Sequence, residues 1–233
     1  SNEANLRITS ISIDEKSKKD TSNVRIYPQI SSKITYPLLS TSPSANQILT
    51  PIIMPIIAPY NNYTSYKEVT NSNLFSSNRA TSITEWESGP RINYGIEWYI
   101  NSKNTADLKT TIGQSYRFNK DNADTTNEIS HYFVNSNITL NPDNFLDTSI
   151  IIDREDLKTR SLSANSYNEV GNLRFAINYD YSSGKYATPK EQIAVGGKYN
   201  LEKNLFLKFT GSKNLDTNKN IGYQYGLLYE NDC

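Results

Sequence analysis

Apolar and polar residues alternate with a period of two along much of this chain. In residues 173–181, leucine, phenylalanine, isoleucine and tyrosine occupy the odd positions, and arginine, alanine, asparagine and aspartate lie between them. Residues 92–100 and 221–229 repeat the pattern with isoleucine, tyrosine, tryptophan and leucine. Successive side chains of a strand point to opposite faces. Each run therefore predicts a β-strand with one apolar face and one polar face.

The same alternation, followed along the whole chain, predicts about twelve strands and no helix. Most are about 10 residues long, which suits a tilted membrane-spanning strand and exceeds the roughly 5–6 residues of an average soluble strand. We expect the strands near residues 4–15, 23–39, 47–60, 90–101, 106–118, 130–140, 145–154, 159–167, 171–182, 190–200, 203–213 and 219–230.

The links between the predicted strands alternate in length from residue 90 onward. Short turns are predicted at 103–105, 141–144 and 202–204, and longer polar links at 119–129, 183–189 and 214–218. Outer-membrane barrels have short periplasmic turns and longer external loops. By that rule the last strand runs towards the periplasm, and Cys233 lies at the periplasmic end.

Composition narrows the class of protein further. Hydrophobic residues make up 36% of the 233 residues, but the chain has 17 Tyr, 7 Phe and 2 Trp, and its 24 basic residues balance 24 acidic ones. Disordered chains are poor in aromatics and high in net charge, and a net charge of zero gives no case for a nucleic-acid partner. No apolar run is long enough for a transmembrane helix. The prediction is an all-β fold, an antiparallel transmembrane β-barrel in the bacterial outer membrane.

Charged residues occupy the predicted polar faces of the strands. A sandwich core does not tolerate unpaired charges, whereas the wet lumen of a barrel does. The alternative is a soluble antiparallel sheet with one solvated face, such as an adhesin or surface-layer sandwich. Tyrosines near strand ends favour the membrane, because aromatic residues form girdles at its interfaces. The charged residues expected to face the lumen are Arg25, Lys33, Glu97, Lys109, Arg174, Asp180, Lys198 and Lys208.

Two regions break the alternation. Residues 48–60 are apolar on both faces and contain Pro51, Pro55 and Pro59. Proline removes a donor from the hydrogen-bond ladder, so this strand is expected to pair weakly or to be distorted. Residues 61–89 then form a link far longer than a hairpin loop, and loops of this length are usually functional.

An ordered series of residues runs through these two regions into the next strand. The stretch NVRIYPQISSKITYPL precedes it, and the chain ends in YGLLYENDC. The series begins at Pro51 and continues with Asn73, Leu74, Phe75, Asn78, Arg79, Glu87, Gly89, Arg91, Tyr94 and Gly95. It resembles the LPS-assembly (organic solvent tolerance) family, LptD. That family shows an extended segment, an N-L-F-x-x-N-R block, and an acidic-x-G-x-R-x-x-Y-G entry to a strand.

The resemblance implies transport of lipopolysaccharide (LPS). Members of this family take LPS from a periplasmic LPS-bridge protein (LptA-like) and insert it among the outer-membrane lipids of the outer leaflet. A plug lipoprotein (LptE-like) is a further expected partner. On this reading residues 1–233 are one partial barrel domain of a longer protein, and the 61–89 loop faces the lumen. The alternative is a general outer-membrane porin, which has similar alternation and a polar lumen.

Cys233 is the single cysteine of the chain. An odd cysteine in an exported protein suggests a partner elsewhere, and the alternative is a free thiol. The resemblance of the YENDC segment to the family's cysteine segment makes Cys233 a disulfide candidate.

Catalytic and metal chemistry find little support in the sequence. His131 is the one histidine, and its neighbour Ser130 would point to the opposite side of a strand. No cysteine and histidine spacing suits a metal, and no glycine-rich phosphate loop occurs. Residues 153–156 carry four consecutive charges and are expected at a solvated hairpin tip. We expect a protein that is not an enzyme, with no catalytic residues, metal or cofactor.

Overall fold

The computed structural model describes residues 2–13, 21–60, 69–79, 87–103, 105–118, 128–183 and 190–230, and side chains from residue 28 onward. Within these ranges the secondary structure consists of β-strands joined by turns and bends. None of the residues so described forms a helix long and apolar enough to cross a membrane.

Fourteen strands are present in the described part of the chain. They are β1 (Asn2–Ile13), β2 (Thr21–Ser32), β3 (Ile34–Thr35), β4 (Leu38–Thr41), β5 (Ala45–Ile57), β6 (Arg91–Ser102), β7 (Asp107–Arg117), β8 (Tyr132–Asn141), β9 (Asn144–Ile152), β10 (Thr159–Val170), β11 (Leu173–Ser182), β12 (Lys190–Glu202), β13 (Leu205–Asn214) and β14 (Lys219–Tyr229). The predicted all-β fold is confirmed, and each predicted strand has a counterpart within a few residues.

The strands belong to one sheet in which sequence neighbours lie side by side. The order is β1-β2-β5-β6-β7-β8-β9-β10-β11-β12-β13-β14, and β3 and β4 both pair with β5. The ladders from β8 to β14 are all antiparallel. The antiparallel arrangement predicted from the alternation is therefore confirmed.

Contacts divide the chain into two compact units. The first consists of residues 1–37, 50–96 and 113–131, and the second of residues 38–49, 97–112 and 132–233. Strands β5, β6 and β7 contribute to both.

The predicted strand at 23–39 is divided in the structure into β2, β3 and β4. In the first unit, β2 meets β5 through two residue pairs, Ile30↔Ile57 and Ser31↔Ile56, and β3 adds two more. Pro37 follows β3 and has no N–H to donate, so the ladder is interrupted before β4 begins. The interruption falls at Pro37 on the partner side, and weak pairing or distortion caused by the prolines of β5 itself stays a prediction.

The turns of the second unit follow the local chemistry of their residues. At the predicted short turn after β8, the Asn141 side chain accepts a hydrogen bond from the backbone N–H of Asp143 at 3.0 Å. The predicted charged tip is the β9–β10 turn. There the Asp153 carboxylate accepts from the N–H of Glu155 at 2.8 Å and lies 3.4 Å from Arg160. Aspartate and asparagine favour such turns because their side chains bond nearby backbone groups.

The register of the second unit places like residues on the same face. Ile177 pairs with Val195, and the next positions, Asn178 and Ala194, also pair. A slip by one residue would exchange the faces of a whole strand, so the observed register preserves one apolar and one polar face. The apolar face is exposed on β14, where Tyr225 is 77% exposed.

The structure explains why the sequence of β5 is apolar on both faces. In the first unit, Ile52, Met54 and Ile56 are buried, whereas Ile53 and Ile57 are more than half exposed. The exposed isoleucines form an apolar face of the first unit. The buried side packs inside the first unit, so both faces require apolar residues.

We predict that lysine is tolerated on one face of the second unit only. Ile177→Lys and Tyr225→Lys place a charge on the apolar face, which costs about 2–4 kcal/mol near the middle of a bilayer. The matched controls Asn178→Lys and Gln224→Lys are adjacent on the polar face. Folding yield in lipid vesicles should fall for the first pair and stay near wild type for the second. Equal yields for the two pairs would refute the assignment of the faces.

Candidate functional site

Two segments of the long loop are folded against strands of the first unit. We call residues 69–79 and 87–90 the loop segments. The first is a turn in which the Asn73 side chain accepts from the N–H of Thr70 at 2.8 Å and its carbonyl from the N–H of Ser76 at 3.0 Å. Leu74 is 2% exposed. A Cβ on Gly113 of β7 would lie 2.7 Å from the Leu74 Cδ2 atom, so the absence of a side chain there admits Leu74.

Gly89 returns the loop to the sheet. Its φ of +81° lies in the left-handed region, which residues with a Cβ rarely adopt. A Cβ would also lie 2.9 Å from the Tyr60 ring. Its N–H donates to the Pro59 carbonyl at 3.1 Å, which joins the end of the loop to the end of β5. Glycine is therefore required at this position.

Glu87 lies at the centre of a buried ionic cluster. Arg79 donates to both of its carboxylate oxygens, through Nε at 2.7 Å and Nη2 at 2.6 Å. Arg91 lies 3.2 Å from the carboxylate, and Arg117 donates to it as well. We call these four residues the Glu87 cluster. One carboxylate thus holds together two loop positions and the adjacent strands β6 and β7.

A layer of neutral polar groups surrounds the cluster. Arg79 also donates to the Ser115 hydroxyl at 3.2 Å, which in turn donates to the Asn93 side chain at 2.7 Å. Asn93 is fully buried. The N–H of Glu87 donates to the Asn78 side chain at 3.1 Å. Buried polar groups are costly without partners, so this network fixes the loop segments in one arrangement.

The Ser77 carbonyl is the second anchor of the loop. Gln29 of β2 donates to it at 2.6 Å, and Arg91 of β6 donates to it as well. Gln29 and Arg91 are each 1% exposed. Because one carbonyl accepts from both strands, the loop is fastened to β2 and β6 at the same point.

Burial and charge act in opposite directions on the Glu87 carboxyl. Burial alone would raise its pKa, but the charges of Arg79 and Arg91, the hydrogen bonds from Arg79 and the charge of Arg117 together outweigh burial. The pKa is held below its ordinary value of 4.5. Glu87 is therefore ionised at neutral pH, as an ion pair requires.

The loop residues of the family-like series, together with Arg91, meet at this site, whereas Pro51 lies on β5, where its carbonyl accepts from the N–H of Tyr36 at 3.3 Å. Arg79, Glu87 and Arg91 form ion pairs, Asn78 accepts from the N–H of Glu87, and Phe75 lies beside the Lys33 ammonium. Tyr94 lies on the opposite face of β6, where its hydroxyl donates to the Gln114 side chain at 2.9 Å. Gly95 follows it, and its Cα lies 3.4 Å from the position of a Cβ on Gly113.

Most of the charged residues predicted on the polar faces form ion pairs or lie opposite another polar residue on the neighbouring strand. Glu97 and Lys109 form an ion pair at 3.2 Å, Arg174 pairs with Glu169 at 2.8 Å, and Lys198 pairs with Glu230 at 2.8 Å. Lys33 lies over the Phe75 ring, and Lys208 pairs in register with Lys198. Asp180 pairs in register with Gln192. Arg25 lies on β2, where only the backbone is described. That these residues face a lumen stays a prediction.

Four residues of the site were not identified from the sequence. They are Gln29, Asn93, Ser115 and Arg117. Gln29, Ser115 and Arg117 bond the loop directly, and Asn93 accepts from the Ser115 hydroxyl. A signal was present on β7, where Gly113, Ser115 and Arg117 occupy alternate positions. The sequence does not show that a loop covers this row.

Ser130 and His131 lie directly before β8. The Ser130 hydroxyl donates to the His131 carbonyl at 2.9 Å and accepts from the Ser115 N–H at 2.8 Å, so these contacts are with backbone groups. No group of three or more potential metal ligands occurs among the described residues. Cys233 lies outside them.

Long antiparallel strands with one apolar and one polar face, and a loop fixed on the sheet, are typical of outer-membrane β-barrel proteins. The family model LptD, LPS transport system D, matches residues 2–205, and the chain belongs to this family. A search of curated proteins found no match. The family resemblance drawn from the sequence is confirmed, and family membership indicates LPS transport in the outer membrane.

Removal of the central carboxylate should be strongly destabilising. Glu87→Gln leaves buried arginines without their shared anion, and breaking one side of a buried ion pair costs about 3–5 kcal/mol. Glu202→Gln, at an exposed position, is the matched control. Urea unfolding in vesicles should show the loss for Glu87→Gln and little change for Glu202→Gln. Similar midpoints for both would mean that the Glu87 cluster contributes little.

The contribution of Glu87 should also depend on pH in a defined direction. A carboxyl whose pKa is lowered by folding stabilises the protein fully above the unfolded value, and that stability is lost as the pH falls through the folded value. The stability difference between wild type and Glu87→Gln should be constant above about pH 4.5 and shrink below it. A difference that is unchanged down to strongly acidic pH would contradict this assignment.

Gly113→Ala should displace the loop without a change of charge. The added Cβ would lie 2.7 Å from both Leu74 Cδ2 and the Tyr94 carbonyl oxygen. Overpacking of this kind costs about 1–3 kcal/mol. Limited proteolysis should cut the loop faster in Gly113→Ala, whereas Gly211→Ala, with nothing within 4 Å of its Cβ, should resemble wild type. Unchanged cleavage in Gly113→Ala would show that Leu74 does not depend on this close approach.

Proposed function

We propose that this chain forms part of the wall of a channel that carries LPS through the bacterial outer membrane and inserts it into the outer leaflet. The observation that carries the proposal is a loop fixed to the polar side of the first unit by the Glu87 cluster, in a chain of the LptD family. Membership of the LptD family supports LPS as the cargo. The fixed loop supports a shaped polar surface instead of an unobstructed pore.

The two faces of the sheet suit an amphipathic cargo at a membrane. In the second unit the apolar face would contact outer-membrane lipids, and the polar face would line the path of the LPS sugars. Register pairs align Arg174 of β11 with Lys198 of β12, and Lys198 with Lys208 of β13. A row of cations with two nearby carboxylates is compatible with a hydrated, phosphorylated headgroup.

The partners follow from the same proposal. A periplasmic LPS-bridge protein (LptA-like) would deliver the cargo, and a plug lipoprotein (LptE-like) would occupy the channel of the full-length protein. These interactions are proposals that rest on family membership.

Depletion of the full-length protein tests the function directly. We expect LPS that an antibody can reach on intact cells to fall, and LPS to accumulate inside the cell. A general porin is the alternative. For a porin, depletion would leave surface LPS unchanged and slow the entry of small hydrophilic solutes.

The orientation of the strands gives a further prediction. A short tag after Asp216, in the turn between β13 and β14, should be accessible to antibody on intact cells, because longer loops are external. A tag after Asp143, in the short turn between β8 and β9, should be accessible only after the outer membrane is opened. If both tags are labelled on intact cells, the orientation is wrong.

Cys233 remains a disulfide candidate within this proposal. A bond to a cysteine in another part of the full-length protein would link that part to the barrel, and the periplasm permits such bonds. Non-reducing gels of the full-length protein should show a mobility shift that Cys233→Ser removes. Identical migration with and without reductant would indicate a free thiol.

A further inference from the structure

A polar groove of about 370 Å³ lies beside the loop segments in the first unit. This volume falls in the range of roughly 300–1,000 Å³ that is usual for small-molecule sites. The groove is lined by Ser31, Lys33, Met54, Phe75, Ser76, Ser77 and Asn78. It thus lies between β2, β5 and the loop, next to the Glu87 cluster but separate from its ion pairs.

The groove presents a cation beside an aromatic ring. The Lys33 ammonium lies 5.5 Å from the centroid of the Phe75 ring, and both side chains are partly exposed. An ammonium over a ring face is held there by the ring's electron density. The ring thus orients the positive charge at the groove.

Hydroxyl groups supply most of the remaining polar lining. Ser31 is 2% exposed, and its hydroxyl has no hydrogen-bond partner among the described residues. A buried hydroxyl without a partner is costly, so the position favours a ligand or water that can bond to it. Ser76, Ser77 and Asn78 add groups that can donate and accept.

The composition of the groove decides between ligand classes. The described lining contains no carboxylate and one lysine, which disfavours a divalent cation. Its polar lining disfavours a fatty-acyl chain, since only Met54 and Phe75 are apolar. A phosphate suits the lysine and the hydroxyls, and a sugar ring suits the aromatic face and the amide.

We propose that this groove binds a phosphorylated sugar. The phosphate would contact Lys33 and Ser31, and the sugar would lie along Phe75 and Asn78. This inference rests on the proposed function, because the phosphorylated sugars of LPS would be the ligand at this point of the channel wall.

The Glu87 cluster gives the groove one rigid side. The Ser77 carbonyl is held by Gln29 and Arg91, and Asn78 accepts from the N–H of Glu87. Two lining residues are thus anchored to the ionic network through their polar atoms. Preorganised polar groups bind with a smaller loss of conformational freedom, so the loop in place should be required for binding.

Calorimetry on the purified full-length protein in detergent micelles tests the site. The probes are glucosamine 6-phosphate, glucosamine and inorganic phosphate. We expect wild type to bind glucosamine 6-phosphate at least tenfold more tightly than it binds glucosamine or inorganic phosphate. Lys33→Gln should raise the Kd for glucosamine 6-phosphate at least tenfold. Phe75→Leu should weaken the binding of glucosamine 6-phosphate and leave the binding of inorganic phosphate unchanged.

Lys203→Gln is the matched control, because it removes an exposed lysine in the turn between β12 and β13, outside the groove, and should bind as wild type does. Ser31→Ala gives a second measure of the site should Lys33→Gln fold poorly, with folding checked by circular dichroism. Absence of binding by folded wild type, equal affinity for sugar phosphate and inorganic phosphate, or unchanged binding by Lys33→Gln would each overturn the proposal. If depletion leaves surface LPS unchanged while wild type still binds the sugar phosphate, the transport proposal fails and the site stands.

Discussion

A single buried carboxylate organises the first unit. Glu87 has ion-pair contacts with Arg79, Arg91 and Arg117, and all four side chains are largely buried. Removing charges from water is costly, and the cost is offset only where the geometry of the pairs is good and the remaining donors are bonded. The loop segments, the positive φ of Gly89 and the polar row on β7 together provide the geometry of the pairs, and among the described residues the Arg91 Nε atom is left without a partner. The loop segments, the backbone conformation of Gly89 and the polar row on β7 therefore depend on one another.

The ionic cluster also accounts for the unusual composition of β5. A strand in a barrel wall usually needs apolar residues on its lipid side only. The loop segments approach β5 beside Met54, so the inner side of this strand is packed and excludes water. Ile52 and Ile56 are buried there, while Ile53 and Ile57 form the exposed apolar side. Local apolar packing and the buried ion pairs depend on each other, because low water access strengthens the ion pairs and the ion pairs keep the loop in place.

The sequence predicted the strands well because their signal is local. Alternation along residues 173–181, for example, corresponds to β11 and its register with β12. The site was predicted only through the residues of the resemblance, such as Arg79, Glu87 and Arg91. Arg117 and Gln29 were missed because they join the site through contacts across 30 residues or more, and no local pattern records such contacts. The strand predicted at 23–39 is divided at Pro37. The sequence shows that a proline cannot donate to the ladder, but it does not show which strand Pro37 lies against.

The same geometry constrains how a loop can take part in transport. A loop joined to the sheet by hydrogen bonds alone can open at small cost, since a typical bond contributes only about 0.5–1.5 kcal/mol net. A loop that would leave buried arginines behind on β6 and β7 cannot, because their shared anion would depart with it. The loop segments should therefore act as a fixed part of the wall, with any movement during transport confined to weaker joints. The β2–β5 pairing, with two residue pairs, is such a joint in the first unit. The polar groove lies beside that joint, so its rigid loop side faces a more deformable strand, and a ligand can be accommodated without breaking the Glu87 cluster.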